Sequence, residues 1–357
     1  MRLLSQISEE LPYLPSERLD TYYGAIDLFC GAGGLTLGLR QSGIPVISAV
    51  EADCDAANTY RYNHPVVELF ECDIAEVKPH ELWTLSGRRP LAIVAGSPCQ
   101  GYSAAGHRNP ESSLNCLYLE VLRIAEALKP RFVVIENVPG LRRVNGVGFD
   151  SLICDALNDA GYVVGKPHMM RSEEFGVPQK RRRLIFLAQR QSFGSAVLPP
   201  QATHAYCQQN DGRSQSLLKT PSVEDALGDL PMLGPGCEWE ARVHDGRMVY
   251  NASTMAHSDR VIEKISKIQA GQGPISYRRL EKSLARTLVA GHRALPVHPW
   301  LHRTISVREA ARIQGFPDDY VFKGPRSNQP LQVANAVPAP MAYAIGKRLL
   351  DVAQSMP

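Results

Sequence analysis

Cys99 stands in the stretch LAIVAGSPCQGYSAAG, residues 91–106, where an apolar run ends and a reactive thiol follows. Most free cysteines in proteins are small buried hydrophobes. Here Pro98 fixes its own backbone and biases Ser97 towards an extended conformation, and Gln100 on the other side is polar. The sequence therefore predicts a thiol held outside the end of a strand, where it could act as a nucleophile.

A nucleophilic thiol requires neighbours that favour the thiolate or stabilise its adduct. Glu136 and Asn137 end the apolar run FVVIEN, so this carboxyl group could donate a proton at the same edge if the two strands are adjacent. The segment QKRRR then leads into the apolar strand LIFLA. Alternation along an extended chain places Arg181 and Arg183 together and points Arg182 away. A charged run is usually a solvated face, but this one continues into an apolar strand and cannot be solvated on both sides.

The segment DLFCGAGG, residues 27–34, joins a predicted strand to a predicted helix. Its glycines let the backbone approach a ligand, and free N–H groups at the helix start suit an anionic group. Glu51 and Asp73 end the next two predicted strands, where acidic side chains reach ribose hydroxyls in nucleotide-binding sheets. Each carboxylate could equally be the N-cap of the helix that follows it. Because the loop has neither GxGxxG nor GK[ST], it favours a nucleoside cofactor without a pyrophosphate and argues against a dinucleotide oxidoreductase.

The elements that must position these residues follow an alternating pattern. Residues 24–190 alternate short apolar runs with longer amphipathic ones, which predicts a mostly parallel sheet covered by helices on both faces. Ligands bind at the carboxyl ends of parallel strands, so the candidate groups should share one edge. After Arg190 the chain becomes rich in Gln, Ser, Pro and Gly, which predicts a smaller, loop-rich domain. Ser306 and Glu309 form a capping-box pattern in SVREAARIQGF, and Pro340 marks the start of the last helix.

Composition limits the class of protein. With 357 residues, 44% hydrophobic and 21% charged, the chain is an ordinary globular protein of one or two domains. It contains neither an apolar run long enough for a membrane span nor the residue order of a signal peptide, so a cytoplasmic location with no membrane partner is expected. Its eight cysteines include no CxxC or CxxH pair, so no metal site is expected. The net charge is only +3, but the basic residues concentrated in 278–312 predict a locally basic surface.

Six segments resemble, in this order, the motifs of DNA (cytosine-5)-methyltransferases: DLFCGAGG, SPCQGYS, IENVPG, QKRRR, REAARIQGFPDDY and QVANAVP. The resemblance implies an α/β fold, with a Rossmann-like S-adenosylmethionine-dependent methyltransferase sheet and a second, smaller target-recognition domain. The catalytic domain would comprise residues 1–190 and 326–357, and the target-recognition domain residues 191–325, including the REAARIQGF helix. Ala334 departs from the pattern, because the family usually has glycine at this position.

The resemblance also implies roles for individual residues. Cys99 would attack C6 of a cytosine flipped out of the duplex, while Glu136 hydrogen-bonds the N3 and amine edge and Arg181 and Arg183 stabilise the anions. The implied cofactor is S-adenosyl-L-methionine, which leaves as S-adenosyl-L-homocysteine. Its expected binding residues are Asp27, Phe29, Gly31, Gly33, Glu51, Asp73, Pro98, Asn335 and Val337. Residues 101–109 are expected to close over the base. Expected substrate contacts are Gln100, Ser103 and Asn137.

The implied function is sequence-specific modification of double-stranded DNA in a restriction–modification system of a bacterial or archaeal cytoplasm. A monomer is expected, with a genetically linked restriction endonuclease as companion. One alternative is a tRNA or RNA cytosine-5 methyltransferase of the same fold, but neither Cys207-Gln-Gln nor Cys237-Glu-Trp matches the Cys-Phe-Thr signature of those relatives. Another is a catalytically inactive DNA-binding paralogue, against which the retained Cys99 and Glu136 argue.

Overall fold

A computed structural model describes most of the chain, namely residues 22–85, 88–97, 117–142, 148–206, 216–274, 277–289 and 295–355. Four candidate site residues lie outside the described residues, namely Pro98, Cys99, Gln100 and Ser103. The predicted lid at 101–109 also lies outside them. Within the described ranges, none of the helices has the length and apolar character needed to cross a membrane.

A central sheet of eight strands carries the fold. Its strands are β1 (Tyr22–Leu28), β2 (Val46–Glu51), β3 (Glu68–Glu71), β4 (Arg89–Gly96), β5 (Phe132–Asn137), β6 (Tyr162–Val164), β7 (His168–Arg171) and β9 (Arg182–Arg190), with the short β8 (Gln179–Lys180) outside it. The order is β3-β2-β1-β4-β5-β9-β6, and β7 also pairs with β9. The first five strands are parallel, whereas β9 runs antiparallel to β5, β6 and β7. The predicted mostly parallel sheet is confirmed.

Helices cover both faces of this sheet, which is why the strands are apolar almost throughout. The helices are α1 (Gly34–Ser42), α2 (Cys54–Asn63), α3 (Leu117–Leu128), α4 (Phe149–Asp159) and the C-terminal α9 (Ala339–Ser355). Residues on one face, such as Ala25 and Val94, pack with α1 and α9, while Ile26 and Ile93 on the other face pack with α3 and α4. Neighbouring residues in each strand therefore serve two different cores.

The remaining elements form a third core. They are β10 (His204–Ala205), β11 (Leu218–Lys219), β12 (Ala241–His244), β13 (Arg247–Tyr250), β14 (Ala285–Arg286), α5 (Val223–Leu227), α6 (Asp259–Ser266), α7 (Val307–Ile313) and α8 (Gln329–Asn335). β10 pairs with β11, β12 with β13, and β14 with β8. The third core contains residues of α5 and α7 together with Ala32 and Val333. This core thus joins the predicted target-recognition domain to the DLFCGAGG loop and to α8. The boundaries of the two domains stay a prediction.

A buried ion pair fixes the start of α7, which contributes to this third core. Ser306 Oγ accepts a hydrogen bond from the Glu309 amide, and the Glu309 carboxylate accepts one from the Ser306 amide, so the predicted capping box is confirmed. Arg303 is fully buried and donates to both Glu309 oxygens at 2.8 and 2.7 Å. Burial alone would raise the pKa of Glu309, but hydrogen bonds from Arg303 and His298 outweigh it and lower the pKa to about 2.

The basic run at 278–312 does not form one exposed surface. Arg279, Arg303 and Arg308 are buried, and Arg312 forms ion pairs with Asp318 and Asp229. Arg308, for example, donates to three backbone carbonyls. The expectation of a locally basic surface is therefore wrong for these four arginines, because they satisfy carbonyls and carboxylates inside the fold.

Candidate active site

The carboxyl ends of β4 and β5 lie side by side, since Gly96 pairs with Glu136 in parallel register. The adjacency of these strands, on which the predicted role of Glu136 depends, is confirmed. Ser97 follows β4 directly and is buried, and its Oγ accepts a hydrogen bond of 3.1 Å from Asn137 Nδ2. Asn137 thereby fixes the residue that stands two positions before Cys99 in the sequence.

Glu136 and Arg183 form an ion pair across β5 and β9. The distance from Arg183 Nε to Glu136 Oε1 is 2.5 Å, and only 11% and 9% of the two side chains are exposed. Opposite charges this close and this sheltered from water attract each other strongly, which favours one relative position of the two groups. The other carboxylate oxygen, Oε2, lies 3.7 Å from the position of a Cβ added at Gly96. Arg183 therefore holds the carboxylate at the end of β4.

Arg181 lies between β8 and β9 and is buried. Its guanidinium donates to the carbonyls of Ala336 at 3.2 Å and Leu288 at 3.5 Å. Arg182 is exposed, as alternation along the strand predicts, while Arg183 faces β5. The side chain of Arg181 thus ties the QKRRR segment to Leu288, which follows β14, and to Ala336 in the QVANAVP motif.

The DLFCGAGG loop has three residues in the left-handed region, Phe29 (φ 58°), Gly31 (φ 55°) and Gly33 (φ 90°). This conformation is costly for a non-glycine residue such as Phe29, so the surroundings must stabilise it. The amide of Gly31 donates to Glu51 Oε2 at 2.7 Å, and the amide of Asp53 donates to Oε1 at 2.8 Å. Burial raises the pKa of Glu51, and these backbone N–H groups partly oppose that effect.

Asp27 and Asp73 have different surroundings. Asp27 is fully buried behind the loop, where its Oδ2 accepts a hydrogen bond of 2.7 Å from Thr36 Oγ1 and burial raises its pKa to about 7. Its carboxylate faces the interior, so its contribution to cofactor binding stays a prediction. Asp73 is exposed, and its Oδ1 accepts from the Ala75 amide at 3.0 Å, which caps the short 3-10 helix Ile74–Glu76.

The QVANAVP motif returns the chain to the same edge. Val337 is buried, and its Cγ2 lies 3.8 Å from the position of a Cβ added at Gly96. A Cβ at Gly34 would collide with the Val337 carbonyl, so α1 and this motif are in close contact. Asn335 is exposed at the end of α8. Ala334 is helical and has a negative φ, so alanine fits here without the conformational freedom of glycine.

Sequence reasoning missed a group of side chains behind the DLFCGAGG loop. The Tyr320 hydroxyl is hydrogen-bonded to the Ala32 carbonyl, and His64 Nε2 lies 3.0 Å from the same hydroxyl. Arg40 Nη1 lies 3.1 Å from His64 Nδ1. Burial, aided by the charge of Arg40, lowers the pKa of His64 to about 4. His64 and Tyr320 are 256 residues apart, so no local pattern could have indicated this contact.

A pair of glutamines is a second feature that sequence reasoning missed. Gln179 Nε2 donates to Gln314 Oε1 at 2.6 Å, and Gln314 Nε2 donates to the Ala336 carbonyl at 2.5 Å. Gln179 Oε1 accepts from the Leu288 amide at 3.1 Å. The two amides therefore join the start of the QKRRR segment to the end of α7 and to the QVANAVP motif.

The described residues gather a carboxylate–guanidinium pair, a buried arginine and a glycine loop with an acidic partner at one sheet edge. Such an edge can hold a nucleoside and can stabilise an anion on a neighbouring ring. Within the described ranges, no group of three or more His, Cys, Asp or Glu residues could hold a metal ion.

Comparison with known proteins supports this interpretation. The family model for C-5 cytosine-specific DNA methylases matches residues 23–351. Type II methyltransferase M1.HphI of Haemophilus parahaemolyticus is 30% identical over 345 residues, which cover 92% of this chain and 86% of that protein. Type II methyltransferase M.PspPI of a Psychrobacter species is 31% identical over 355 residues, which cover 98% of this chain and 83% of that protein.

Solved structures show the same α/β, Rossmann-like fold. One, described as a DNA modification methyltransferase encoded within an Escherichia coli prophage, has a TM-score of 0.77 and 26% identity, covering 93% of this chain and 99% of that chain. The S. pombe Dnmt2 methyltransferase has a TM-score of 0.60 and 15% identity over 92% of this chain and 98% of its own. At that identity the second likeness shows the fold alone.

Proposed function

The chain belongs to the C-5 cytosine-specific DNA methylase family, and from this premise we propose that it methylates cytosine through a covalent bond between Cys99 and ring carbon C6. The enzyme is a DNA cytosine-5 methyltransferase of restriction–modification type, like the Type II relatives that it resembles. The observation that carries the covalent mechanism is the ion pair between Glu136 and Arg183 beside the strand that leads to Cys99.

The chemistry explains why a thiol is needed. Carbon C5 of cytosine is a weak nucleophile, but addition of the Cys99 thiolate at C6 converts the ring into an enamine whose C5 can attack an electrophilic methyl group. Loss of the C5 proton then re-forms the C5–C6 double bond, breaks the C6–sulfur bond and releases the thiolate. The nucleophile is regenerated, so each turnover consumes one methyl group and releases one proton.

Glu136 and the arginines would stabilise the charge that develops in these steps. Glu136 is proposed to hydrogen-bond the N3 and amine edge of the base, where it lends a proton as negative charge builds on the ring. Arg183 keeps this carboxyl group in place through the 2.5 Å contact. Arg181 is already anchored by two backbone carbonyls, so its positive charge is preorganised to stabilise the thiolate or the base carbonyl.

The edge of the sheet fits S-adenosyl-L-methionine as the methyl donor. Gly31 is left-handed and no described atom lies within 4 Å of an added Cβ, so there is room beside the loop. Glu51, whose carboxylate is held against the loop by the Gly31 amide, is the proposed ribose contact, and Asp73, exposed after the third strand, is the proposed adenine contact. Phe29 and Val337 would supply apolar contacts, and Gly33, Asn335 and Pro98 are the further contacts that the family motifs imply. When bound, this group supplies a methyl carried on a sulfonium.

The target base must leave the duplex, because stacking and pairing hide both C6 and N3. Gln100 and Ser103 are the proposed contacts to the extruded nucleotide, and residues 101–109 the proposed lid. Asn137 Nδ2 donates a hydrogen bond to Ser97 Oγ, and Asn137 Oδ1 accepts one from the Val138 amide. We propose that Asn137, by holding Ser97, also orients the chain that leads to Cys99.

Expression in a bacterial host that lacks DNA methylation tests the proposal. Mapping 5-methylcytosine across the host genome should reveal one short sequence motif, and the Cys99→Ser variant should leave that genome unmethylated. A protected motif should also resist the restriction endonuclease expected beside this gene. Methylation of RNA alone would instead support the RNA alternative, and a folded protein that binds S-adenosyl-L-homocysteine without methylating either substrate would support an inactive paralogue.

A further inference from the structure

The carbonyl of Ala32 lies in the middle of the strained DLFCGAGG loop, between left-handed Gly31 and Gly33. It accepts a hydrogen bond from Tyr320, which arrives from a distant part of the chain. A Cβ added at Gly33 would lie 2.6 Å from both Tyr320 Oη and His64 Nε2. Tyr320 and His64 therefore pack directly against the backbone of this loop.

The hydrogen bonds behind the loop have a defined direction. Arg40 can only donate, so His64 Nδ1 must accept and the proton of the neutral imidazole must sit on Nε2. Nε2–H then donates to Tyr320 Oη, which leaves the single hydroxyl proton of Tyr320 for the Ala32 carbonyl. The Tyr320 hydroxyl therefore joins His64 to the Ala32 carbonyl, and removal of any member of the series changes the hydrogen bonding of the next.

Tyr320 is itself rigidly held. Its ring packs against Phe316 and Phe322 with centroid distances of 4.8 and 5.6 Å, and its backbone carbonyl accepts a hydrogen bond from Arg308. It belongs to the third core, with Ala32 on the other side of the contact. The hydrogen bond from its hydroxyl therefore fixes the loop relative to the third core.

We infer that Tyr320, oriented by His64, is a positioning residue for the methyl donor: it holds the Ala32 carbonyl so that the loop presents its binding surface. This inference rests on the proposed binding of S-adenosyl-L-methionine. It gives the REAARIQGFPDDY motif a function at the cofactor site, in addition to its structural role in α7. Tyr320 does not touch the reacting atoms and acts through the loop.

The test is calorimetric binding of S-adenosyl-L-homocysteine to the full-length protein and to Tyr320→Phe. Loss of one hydrogen bond should raise the Kd roughly tenfold, while the Kd for duplex DNA changes less than twofold. Tyr162→Phe is the matched control, because Tyr162 is also buried and its hydroxyl donates to the Pro130 carbonyl at 3.2 Å, away from the loop. This control should bind S-adenosyl-L-homocysteine as the wild type does.

A second pair of variants tests the orienting role of His64. In His64→Gln the amide N–H can take the place of Nε2–H, so its Kd should stay within about threefold of wild type, whereas His64→Leu should resemble Tyr320→Phe. An unchanged Kd in Tyr320→Phe, whatever its melting temperature or binding stoichiometry, would overturn the inference and leave the proposed function standing. No binding by the wild-type protein would overturn both.

Discussion

Arg183 Nε lies 2.5 Å from Glu136 Oε1, across two antiparallel strands, at the edge where β4, the strand that precedes Cys99 in the sequence, also ends. Glu136 pairs in register with Gly96, the last residue of β4. Removing one partner of a sheltered ion pair leaves the other charge uncompensated, which typically costs about 3–5 kcal/mol when the site is buried. The carboxylate at this edge is thus held in one position before any substrate binds.

Replacing Glu136 with Gln should lower kcat by about 10²–10⁴-fold, because Gln keeps the shape of the side chain but cannot lend a proton. The measurement is transfer of a labelled methyl group to duplex DNA, together with the Kd for S-adenosyl-L-homocysteine, which should stay within about twofold of wild type. Glu126→Gln, an exposed acid on α3, is the control and should turn over normally. A Glu136→Gln rate close to wild type would remove this carboxyl group from the mechanism.

Gly33→Ala should abolish binding of S-adenosyl-L-homocysteine, because the new methyl group would meet Tyr320 and His64 at 2.6 Å in a left-handed backbone. Gly161→Ala separates strain from collision, since Gly161 also has a positive φ but has nothing within 4 Å of the added Cβ. The control should lose some stability and keep its affinity. The measurement is calorimetric titration of both variants with S-adenosyl-L-homocysteine. Equal affinities of Gly33→Ala and Gly161→Ala would contradict the close packing of Tyr320 and His64 against Gly33.

The pH dependence of stability should carry a contribution from Asp27. Its pKa is raised from 3.8 to about 7 by burial, so the folded state binds this proton more tightly than the unfolded state does. The contribution of Asp27 to the free energy of unfolding is fully present below about pH 4 and is lost as pH rises towards about 7. The loss should approach about 1.4 kcal/mol per pH unit in that window. Denaturant unfolding of Asp27→Asn, which does not titrate, should show a shallower decline with pH, and an identical decline would refute this assignment.

Lys180 on β8 and Arg286 on β14 are exposed and paired with each other, and Lys180 directly precedes the buried Arg181. If the exposed Arg286 cation contacts a DNA phosphate, Arg286→Gln should weaken DNA binding and reduce the slope of log K against log salt concentration by about 0.9, the value for one phosphate contact. Lys129→Gln removes an exposed charge just before β5, at the opposite edge of the sheet, and should leave the slope unchanged. Equal slopes for Arg286→Gln and wild type would exclude this phosphate contact.

Much of the fold could be predicted from local patterns. Apolar runs located the first five strands, and the Ser306–Glu309 spacing identified the start of α7 because capping depends on residues three positions apart. The strand end at Glu136 was also predictable, because the carboxyl ends of neighbouring parallel strands share an edge.

Long-range contacts were beyond this reasoning. A count of basic residues cannot distinguish an exposed arginine from Arg308, whose guanidinium is satisfied by carbonyls that only the folded chain brings near. The contact between Tyr320 and Ala32 joins residues 288 positions apart, and neither residue type indicates a cofactor loop. Ala334 departed from the family pattern, and only its helical conformation explains why alanine fits there.

Covalent trapping at Cys99 is the most direct test of the mechanism. The duplex would carry 5-fluorocytosine in the motif that the genome map identifies, because fluorine at C5 cannot leave as a proton does and the adduct should accumulate. With S-adenosyl-L-methionine present, mass spectrometry of the wild-type protein should find a methylated fluorocytosine bound to the peptide that contains Cys99, and Cys99→Ser should form no adduct. Methylation of ordinary DNA by Cys99→Ser at the wild-type rate, or an adduct on another residue, would contradict the mechanism.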